Sequence, residues 1–331
     1  VIATNKELGG LERHVVDLST ALAVSDEVHV IGDPLIESLL PDSVRFHPVD
    51  MSVSRHNPLL RWKIRKAIER VKPDIVHAQA SKATALISNQ RIPRVATIHN
   101  SKSNVVAFGK FDRVIAVSST AAEGITGAPV SIIHNGIQLK PRSSDPVELP
   151  PRLKPDLPLL LAVGRLVPAK GFDLLISAMR LVNAELWIAG EGPDRKQLES
   201  LVQNDRVQDR VQLLGKRSDI RQLTDQALLA VISSRNEGFP YTLVEYLHHR
   251  IPVVSTMISG VDQFLPKEVL IGLPNADYIA TTINRVLSER NELPSILESA
   301  FQFAERELTL KQMTKQTRAV YTSLLTKARK E

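Results

Sequence analysis

The sequence contains no cysteine, which removes disulfides and thiolate metal sites and matches a reducing compartment. Aromatic residues make up only 4% of it and no basic run exceeds a few residues, so the net charge of +6, from 42 Lys plus Arg against 36 Asp plus Glu, is all that speaks for nucleic acid. No nucleic-acid partner is expected. No apolar run approaches the roughly 18 residues of a membrane-spanning helix. The G-x-x-x-x-G-K-[ST] phosphate loop is missing, and Gly190-Glu191-Gly192-Pro193 lacks the third glycine of a dinucleotide fingerprint. Without an Asp-x-Asp pair or a His-x-x-x-His, nothing calls for a catalytic metal or other cofactor. Nothing at the N-terminus reads as a signal segment, and a cytoplasmic location is expected. The chain opens on V-I-A-T, which reads as the back half of a strand.

What is present is an ordinary globular composition, 43% hydrophobic and 24% charged, over 331 residues, enough for two domains. Short runs rich in Val, Ile and Leu alternate with helical patterns throughout, the signature of parallel sheets covered by helices. The first half holds V-I-A-T, E-V-H-V-I-G, V-R-F-H-P-V, D-I-V-H-A, V-A-T-I-H-N, R-V-I-A-V-S and V-S-I-I-H-N-G. The second holds L-L-L-A-V-G-R, L-W-I-A-G-E-G, V-Q-L-L-G, L-L-A-V-I-S-S, P-V-V-S-T and E-V-L-I-G. Each half is expected to form its own doubly wound α/β sheet. The proline-dense stretch 139–158 suits a stiff connection, and the domains are placed at 1–145 and 146–305. A closing helix over about 309–329 would bury Met313, Val320, Leu324 and Leu325 and leave Lys311, Lys315 and Arg318 wet.

Sheets of this kind bind ligands at the carboxyl ends of their strands. Gly164 and Arg165 follow directly on L-L-L-A-V, and Lys170 lies five residues beyond, so both cations belong at a strand's carboxyl end, where a planar guanidinium and a compact ammonium suit a diphosphate. Solvated surface charge is the plain alternative. Further on, S-S-R-N-E-G-F-P-Y-T-L-V-E joins a strand to a helix starting near Thr242. Its turn exposes backbone N–H groups of Phe239, Tyr241 and Thr242 to an anion, Glu237 is placed to accept from sugar hydroxyls, and Glu245 could reach a ribose. Thr242-x-x-Glu245 also fits a capping box, which would touch no ligand. In the first half Gly9-Gly10 precedes a helix whose face carries Leu11, Val15, Leu18 and Leu22, so backbone there can approach negative charge. His99 ends V-A-T-I-H-N and His77 sits near the end of D-I-V-H-A, each with a structural role as the plain alternative. His14, His134, His248 and His249 gain no role from sequence.

In their order, G-G-L-E-R-H, T-I-H-N, V-S-S, I-I-H-N-G, V-G-R-L-V-P-A-K-G, I-A-G-E-G-P and E-G-F-P-Y-T-L-V-E resemble the retaining glycosyltransferases of family four, from about Gly9 to Pro252. The resemblance implies a GT-B fold, two Rossmann-like domains facing each other across a cleft, with the final helix, 306–331, crossing back to the N-terminal domain. It implies a nucleotide-diphosphate-sugar donor as co-substrate, a UDP-sugar favoured, with no metal or other cofactor, and a glycan or lipid-linked acceptor as partner. Carried onto this sequence, Arg165 and Lys170 would hold the diphosphate and stabilise it as a leaving group. Glu237 would bind the transferred sugar, Glu245 the ribose, and His99 the sugar near the reacting carbon. Gly10, Gly164, Phe239, Tyr241, Thr242 and Leu243 would line the donor, and Lys216 and Arg217 would lie beside its base. Retention would proceed by front-face substitution without a covalent intermediate. An epimerase or a silent sugar-nucleotide-binding protein on the same fold is the alternative. Two stretches depart from the family: Y-L-H-H-R stands where A-M-A-x-G is usual, and S-G-V-D-Q replaces G-G-x-x-E.

The acceptor must be read from the N-terminal half, where 1–140 holds 17 Lys plus Arg and 13 Asp plus Glu, a difference of +4. Segment 61–72 places Ile64, Ile68 and Val71 on one face and cations on the others. It suits either an ordinary half-buried helix or peripheral contact with anionic lipid at the inner face of a membrane.

Overall fold

A computed structural model describes residues 1–3, 9–87, 92–100, 105–139, 148–272 and 274–328. The chain divides into two compact units, one of residues 1–138 with 307–331 and the other of residues 139–306. The boundary expected between residues 145 and 146 falls within 140–147, outside the described residues.

Unit 1 contains six short parallel strands, β1 (Val28–Gly32), β2 (Val44–Pro48), β3 (Val76–Gln79), β4 (Arg94–Ile98), β5 (Arg113–Ala116) and β6 (Val130–Ile132). The V-I-A-T run contributes single bridges: Ile2 pairs with Ile31 on one side and with Ala78 on the other. It thereby joins β1 and β2 to the four-stranded row β3-β4-β5-β6. Helices α1 (Gly10–Leu22), α2 (Pro58–Val71), α3 (Ala80–Ile87) and the short α4 (Ser119–Ala122) connect these strands. Asn57 caps α2 by accepting from the amides of Leu59 and Leu60, with Pro58 in the first turn. Its buried residues are Leu60, Ile64 and Ile68; Val71, expected on that face, is half-buried.

Unit 2 holds β7 (Leu159–Val163), β8 (Glu185–Ala189), β9 (Val211–Gly215), β10 (Leu229–Ile232), β11 (Val253–Thr256) and β12 (Leu270–Ile271), all parallel. Its helices are α5 (Phe172–Ala178), α6 (Arg195–Asn204), α7 (Ile220–Gln226), α8 (Tyr241–His248), α9 (Ala276–Ser288), α10 (Leu293–Ile296) and α11 (Glu298–Glu307). The strands lie in the order β12-β11-β10-β7-β8-β9, the doubly wound arrangement in which strand order reverses between β7 and β10. The fully buried Glu185 ties the proline-rich entry to this sheet. It accepts from Arg152 at 2.8 Å, from the amides of Leu153 and Lys154 at 3.0 and 2.9 Å, and from Trp187 Nε1 at 3.0 Å. Burial alone would raise its carboxyl, yet Arg152 and the Lys154 and Leu153 amides together hold it below the ordinary range.

The last helix, α12 (Leu310–Ala328), belongs to unit 1. Leu310, Met313, Val320 and Leu324 share a core with Val15, Leu18 and Leu22 of α1, each fully buried side chain contributing about 1.5–3 kcal/mol. Leu325 stays half-buried, whereas Lys311 and Lys315 are exposed. Arg318 reaches Asp26 at 2.7 Å. The helix is anchored at its start by Ile137 N–H donating to Leu308 O and Leu310 N–H to Ile137 O, at 3.0 and 2.9 Å.

Candidate functional site

The two segments that carry the candidate donor residues leave adjacent strands at the switch point of unit 2. Residues 164–170 follow β7, and residues 233–237 follow β10. They are clamped to one another: Ser233 Oγ donates to Lys170 O at 3.0 Å, and Arg235 N–H donates to Ala169 O at 2.8 Å. Arg235 also forks onto Asp173 at 2.7 and 2.6 Å, which holds that carboxyl below its usual range. Gly171 has φ +65°, and a Cβ there would lie 2.1 Å from Ser233 O, so the approach of the two loops depends on glycine.

Backbone packing also fixes the turn after β7. Gly164 N–H donates to Ala189 O, Leu166 N–H to Glu191 O and Gly190 N–H to Gly215 O, at 3.0, 2.9 and 2.8 Å. Gly190 sits so close to this turn that a Cβ would lie 1.8 Å from Gly164 O. The G-E-G-P motif therefore works by close packing of three strand ends.

Within that frame, Lys170 Nζ donates to Glu237 Oε1, and Ser234 Oγ donates to the same oxygen at 3.0 Å. The Lys170 stem lies over Gly164, whose added Cβ would meet its Cε at 3.3 Å. Both partners are partly enclosed, their side chains 21% and 16% exposed, so the ammonium is held at the strand ends. Arg165 is exposed at the same turn. A fixed ammonium and an exposed guanidinium can hold a phosphate group and stabilise the charge it gains on leaving.

Helix α8 begins at Tyr241, one residue before the expected start. Its N-cap is Pro240, and no side chain caps it, so the capping box read in Thr242-x-x-Glu245 is absent. Glu245 lies too far into the helix for that role. Thr242 stands in the first turn of α8. Phe239 is buried with its ring edge-on to Phe264 at 5.6 Å, which leaves its backbone as the part able to meet a ligand. The same holds for the buried Tyr241. Leu243 has a fully buried side chain, and its amide donates to Pro240 O at 3.1 Å. The Arg217 guanidinium is paired with Asp219 at 2.8 and 2.6 Å and donates to Glu148 O at 3.1 Å. The exposed Lys216 next to it follows β9.

The departure at Y-L-H-H-R is interior packing. Tyr246, Leu247 and His248 are buried. Arg250 occupies a left-handed backbone position, φ 54°. It pairs with Glu298 and, at 2.9 Å, with Glu305 of α11, while lying 4.9 Å from the Phe301 ring. At the second departure Gly260 takes φ 76° and caps a short 3-10 turn, Val261–Gln263.

In unit 1, Gly9 is the N-cap of α1 and its amide donates to Glu12 at 2.9 Å. Gly10 starts the helix and is exposed. His14, one turn further, meets His99 edge-on with ring centroids 4.7 Å apart. Sequence reasoning left His14 without a role; the signal was its position on the first turn after the paired glycines. His99 is half-buried just past the end of β4, and its Nε2 lies 2.7 Å from Gln79 Oε1. His77 is not at a surface: it is buried between Thr97 and Tyr321, 2.6 Å from each hydroxyl. Burial, and after it neighbouring positive charge, pushes His77 and His99 well below the ordinary histidine range. Burial lowers His14 to about 4 against the opposing bond to Asn135.

The model of glycosyl transferases group 1 matches residues 149–302, and that of glycosyltransferase family 4 matches residues 8–141. The chain belongs to the family-four glycosyltransferases. Among curated proteins it is 29% identical over 205 residues to the phosphatidylinositol N-acetylglucosaminyltransferase GPI3 subunit of Saccharomyces cerevisiae, covering 57% of this chain and 44% of that one. It is 25% identical over 246 residues to the lipopolysaccharide core biosynthesis glycosyltransferase LpsE of Rhizobium meliloti, covering 70% and 71%. The chain thus spans under half the length of the first of these relatives. Among solved structures, Anabaena HepE in complex with UDP and glucose superposes with a TM-score of 0.81 at 19% identity, over 98% of each chain. The fold of this family member is accordingly GT-B, with two Rossmann-like domains.

Proposed function

We propose that this chain is a retaining glycosyltransferase. It moves a hexose or N-acetylhexosamine from a nucleotide-diphosphate sugar, a UDP-sugar first among them, to a glycan or lipid-linked acceptor in lipopolysaccharide or surface polysaccharide assembly. The observation that carries this reading is the meeting of Lys170 and Glu237 at the β7/β10 switch point. The names of the relatives support the acceptor class, and the UDP in the HepE complex supports the base.

Chemically, the bond from the anomeric carbon to the diphosphate oxygen breaks with its electron pair leaving on oxygen. Lys170 and Arg165 stabilise that oxygen's charge, Glu237 binds sugar hydroxyls and Glu245 binds the ribose. The acceptor hydroxyl attacks the same face, and its proton passes to the departing phosphate. To unit 1 this reading gives the acceptor, an approach of Gly10 to phosphate, and a contact of His99 with the transferred sugar.

Thermal stabilisation against UDP-, GDP-, ADP- and TDP-sugars tests it, since a ligand at about 100 times its Kd adds about 2.7 kcal/mol. Stabilisation by one nucleotide class, lost in Lys170→Ala, is the expected result; no response to any donor rejects the reading.

A lipid-linked acceptor would be met at an anionic membrane surface. Helix α2 carries exposed Leu59 and Trp62 beside exposed Arg61, Lys63, Arg65 and Lys66, apolar tips among cations of the kind that rest on a headgroup layer. Sedimentation with phosphatidylserine vesicles is expected to bring down the wild-type protein at low salt. The variant Leu59→Ser/Trp62→Ser should remain in the supernatant, and equal sedimentation of both would remove α2 from the proposal.

A further inference from the structure

The buried polar groups around His99 form a connected chain that nothing in the donor site explains. It runs from Tyr321 on α12 to His77 on β3, then to Gln79 two residues on, then to His99 past the end of β4. The steps are 2.6 Å from Tyr321 Oη to His77 Nδ1, 3.4 Å from His77 Nε2 to Gln79 Nε2, and 2.7 Å from Gln79 Oε1 to His99 Nε2. Thr97 Oγ1 stands 2.6 Å from His77 Nε2. Gln79 and Thr97 are fully buried and His77 is 2% exposed. A polar chain so enclosed must match each donor to an acceptor.

The matching fixes a direction. An amide nitrogen only donates, so His77 Nε2, facing that of Gln79, is an acceptor whose single lone pair is shared between the near Thr97 hydroxyl and the more distant Gln79 amide. The proton of a neutral His77 then sits on Nδ1 and is donated to Tyr321 Oη. Gln79 Oε1, turned to His99, only accepts, so His99 Nε2 carries the proton and its Nδ1 keeps a lone pair. His14 leans edge-on against the same ring, its own Nδ1 3.0 Å from Asn135 Oδ1.

We propose that Gln79 is the positioning residue of His99, holding its imidazole in the Nε2–H tautomer and presenting Nδ1 as a hydrogen-bond acceptor for a hydroxyl of the transferred sugar. Tyr321 sets the chain from its far end, so α12 contributes to the chemistry of His99 as well as to the core. This rests on the proposed contact of His99 with the sugar. It gives that histidine the work of orienting a hydroxyl and excludes it as a proton donor through Nδ1.

The test is long-range 1H–15N spectroscopy of the full chain with 15N-labelled histidine, His99 being assigned by His99→Gln. The wild-type protein is expected to show His99 purely as the Nε2–H form. In Gln79→Met, which keeps the volume and removes the amide, the two tautomers should exchange, and kcat should fall by about ten- to a hundredfold with donor KM unchanged, the size of effect seen when a partner orienting a functional histidine is lost. Tyr321→Phe, at the partly exposed end of the chain, serves if Gln79→Met does not fold: loss of the acceptor for His77 should shift the His99 populations at a distance. A His99 with its proton on Nδ1 in the wild-type protein, or a His99 signal that neither variant moves, overturns the proposal. The tautomer is read without turnover, so a wild-type protein that transfers no sugar counts against the proposed function and leaves this reading to stand or fall on the spectra.

Discussion

Lys170→Ala is expected to lower kcat/KM for sugar transfer by about a hundred- to a thousandfold, the cost of removing one preorganised group that stabilises developing negative charge. Two features make this site sensitive. The ammonium is held before any ligand arrives, by Glu237 and by the packing of its stem on Gly164, so little reorganisation is needed when the diphosphate leaves. Its removal also releases Glu237, which would retain Ser234 as a partner but lose the cation that fixes it against the sugar. Lys170→Ala and Glu237→Gln should therefore be strongly non-additive, the double variant being little worse than the worse single one. Thermal stability should change little, since the pair is partly solvated. Steady-state kinetics on the four proteins checks this; full additivity would mean the two residues act at separate places.

The second large effect is on acid stability. His14, lowered to about 4 by burial, binds its proton near pH 6.5 when unfolded and only near pH 4 when folded. Between those values the unfolded state holds more protons, so stability is complete above about pH 6.5 and is lost as pH falls towards 4. Each such histidine contributes about 1.4 kcal/mol per pH unit in that window. His77 and His99 are displaced in the same direction, as is His249, by burial. The clustered three titrate as a coupled set and do not simply add. Urea unfolding at pH 7.5 and pH 5 is expected to show a loss of several kcal/mol before ordinary carboxylates begin to protonate, and His14→Asn should flatten the slope. Equal stability at the two values would contradict the buried, neutral state of the cluster.

The strand content of both units was legible because parallel strands covered on both faces read as short apolar runs. Each run noted in the sequence occurs as a strand or, for V-I-A-T, as the Ile2 bridges. The placement of Gly164, Arg165, Lys170 and Glu237 at strand ends followed from the same pattern. The pairing of Lys170 with Glu237 did not, because 67 residues separate them and only the order of β10 beside β7 brings them together. Asp219, two residues from Arg217, takes Nε and Nη2 of its guanidinium, a local pairing that no motif recorded. The capping box failed because the cap lies two residues earlier than it requires: Pro240 takes that position in place of Thr242 and leaves Glu245 deeper in α8. His14 and Gln79 carried no motif of their own. What sets them apart is their meeting with His99, through links spanning 85 and 20 residues, which no local pattern records.

The central claim is that the donor's diphosphate sits at the carboxyl ends of β7 and β10. A crystal structure of the protein with UDP tests it most directly. The diphosphate is expected on Arg165 and Lys170 beside the first turn of α8, with the ribose hydroxyls on Glu245. UDP bound away from these strand ends, out of reach of Arg165 and Lys170, would contradict it.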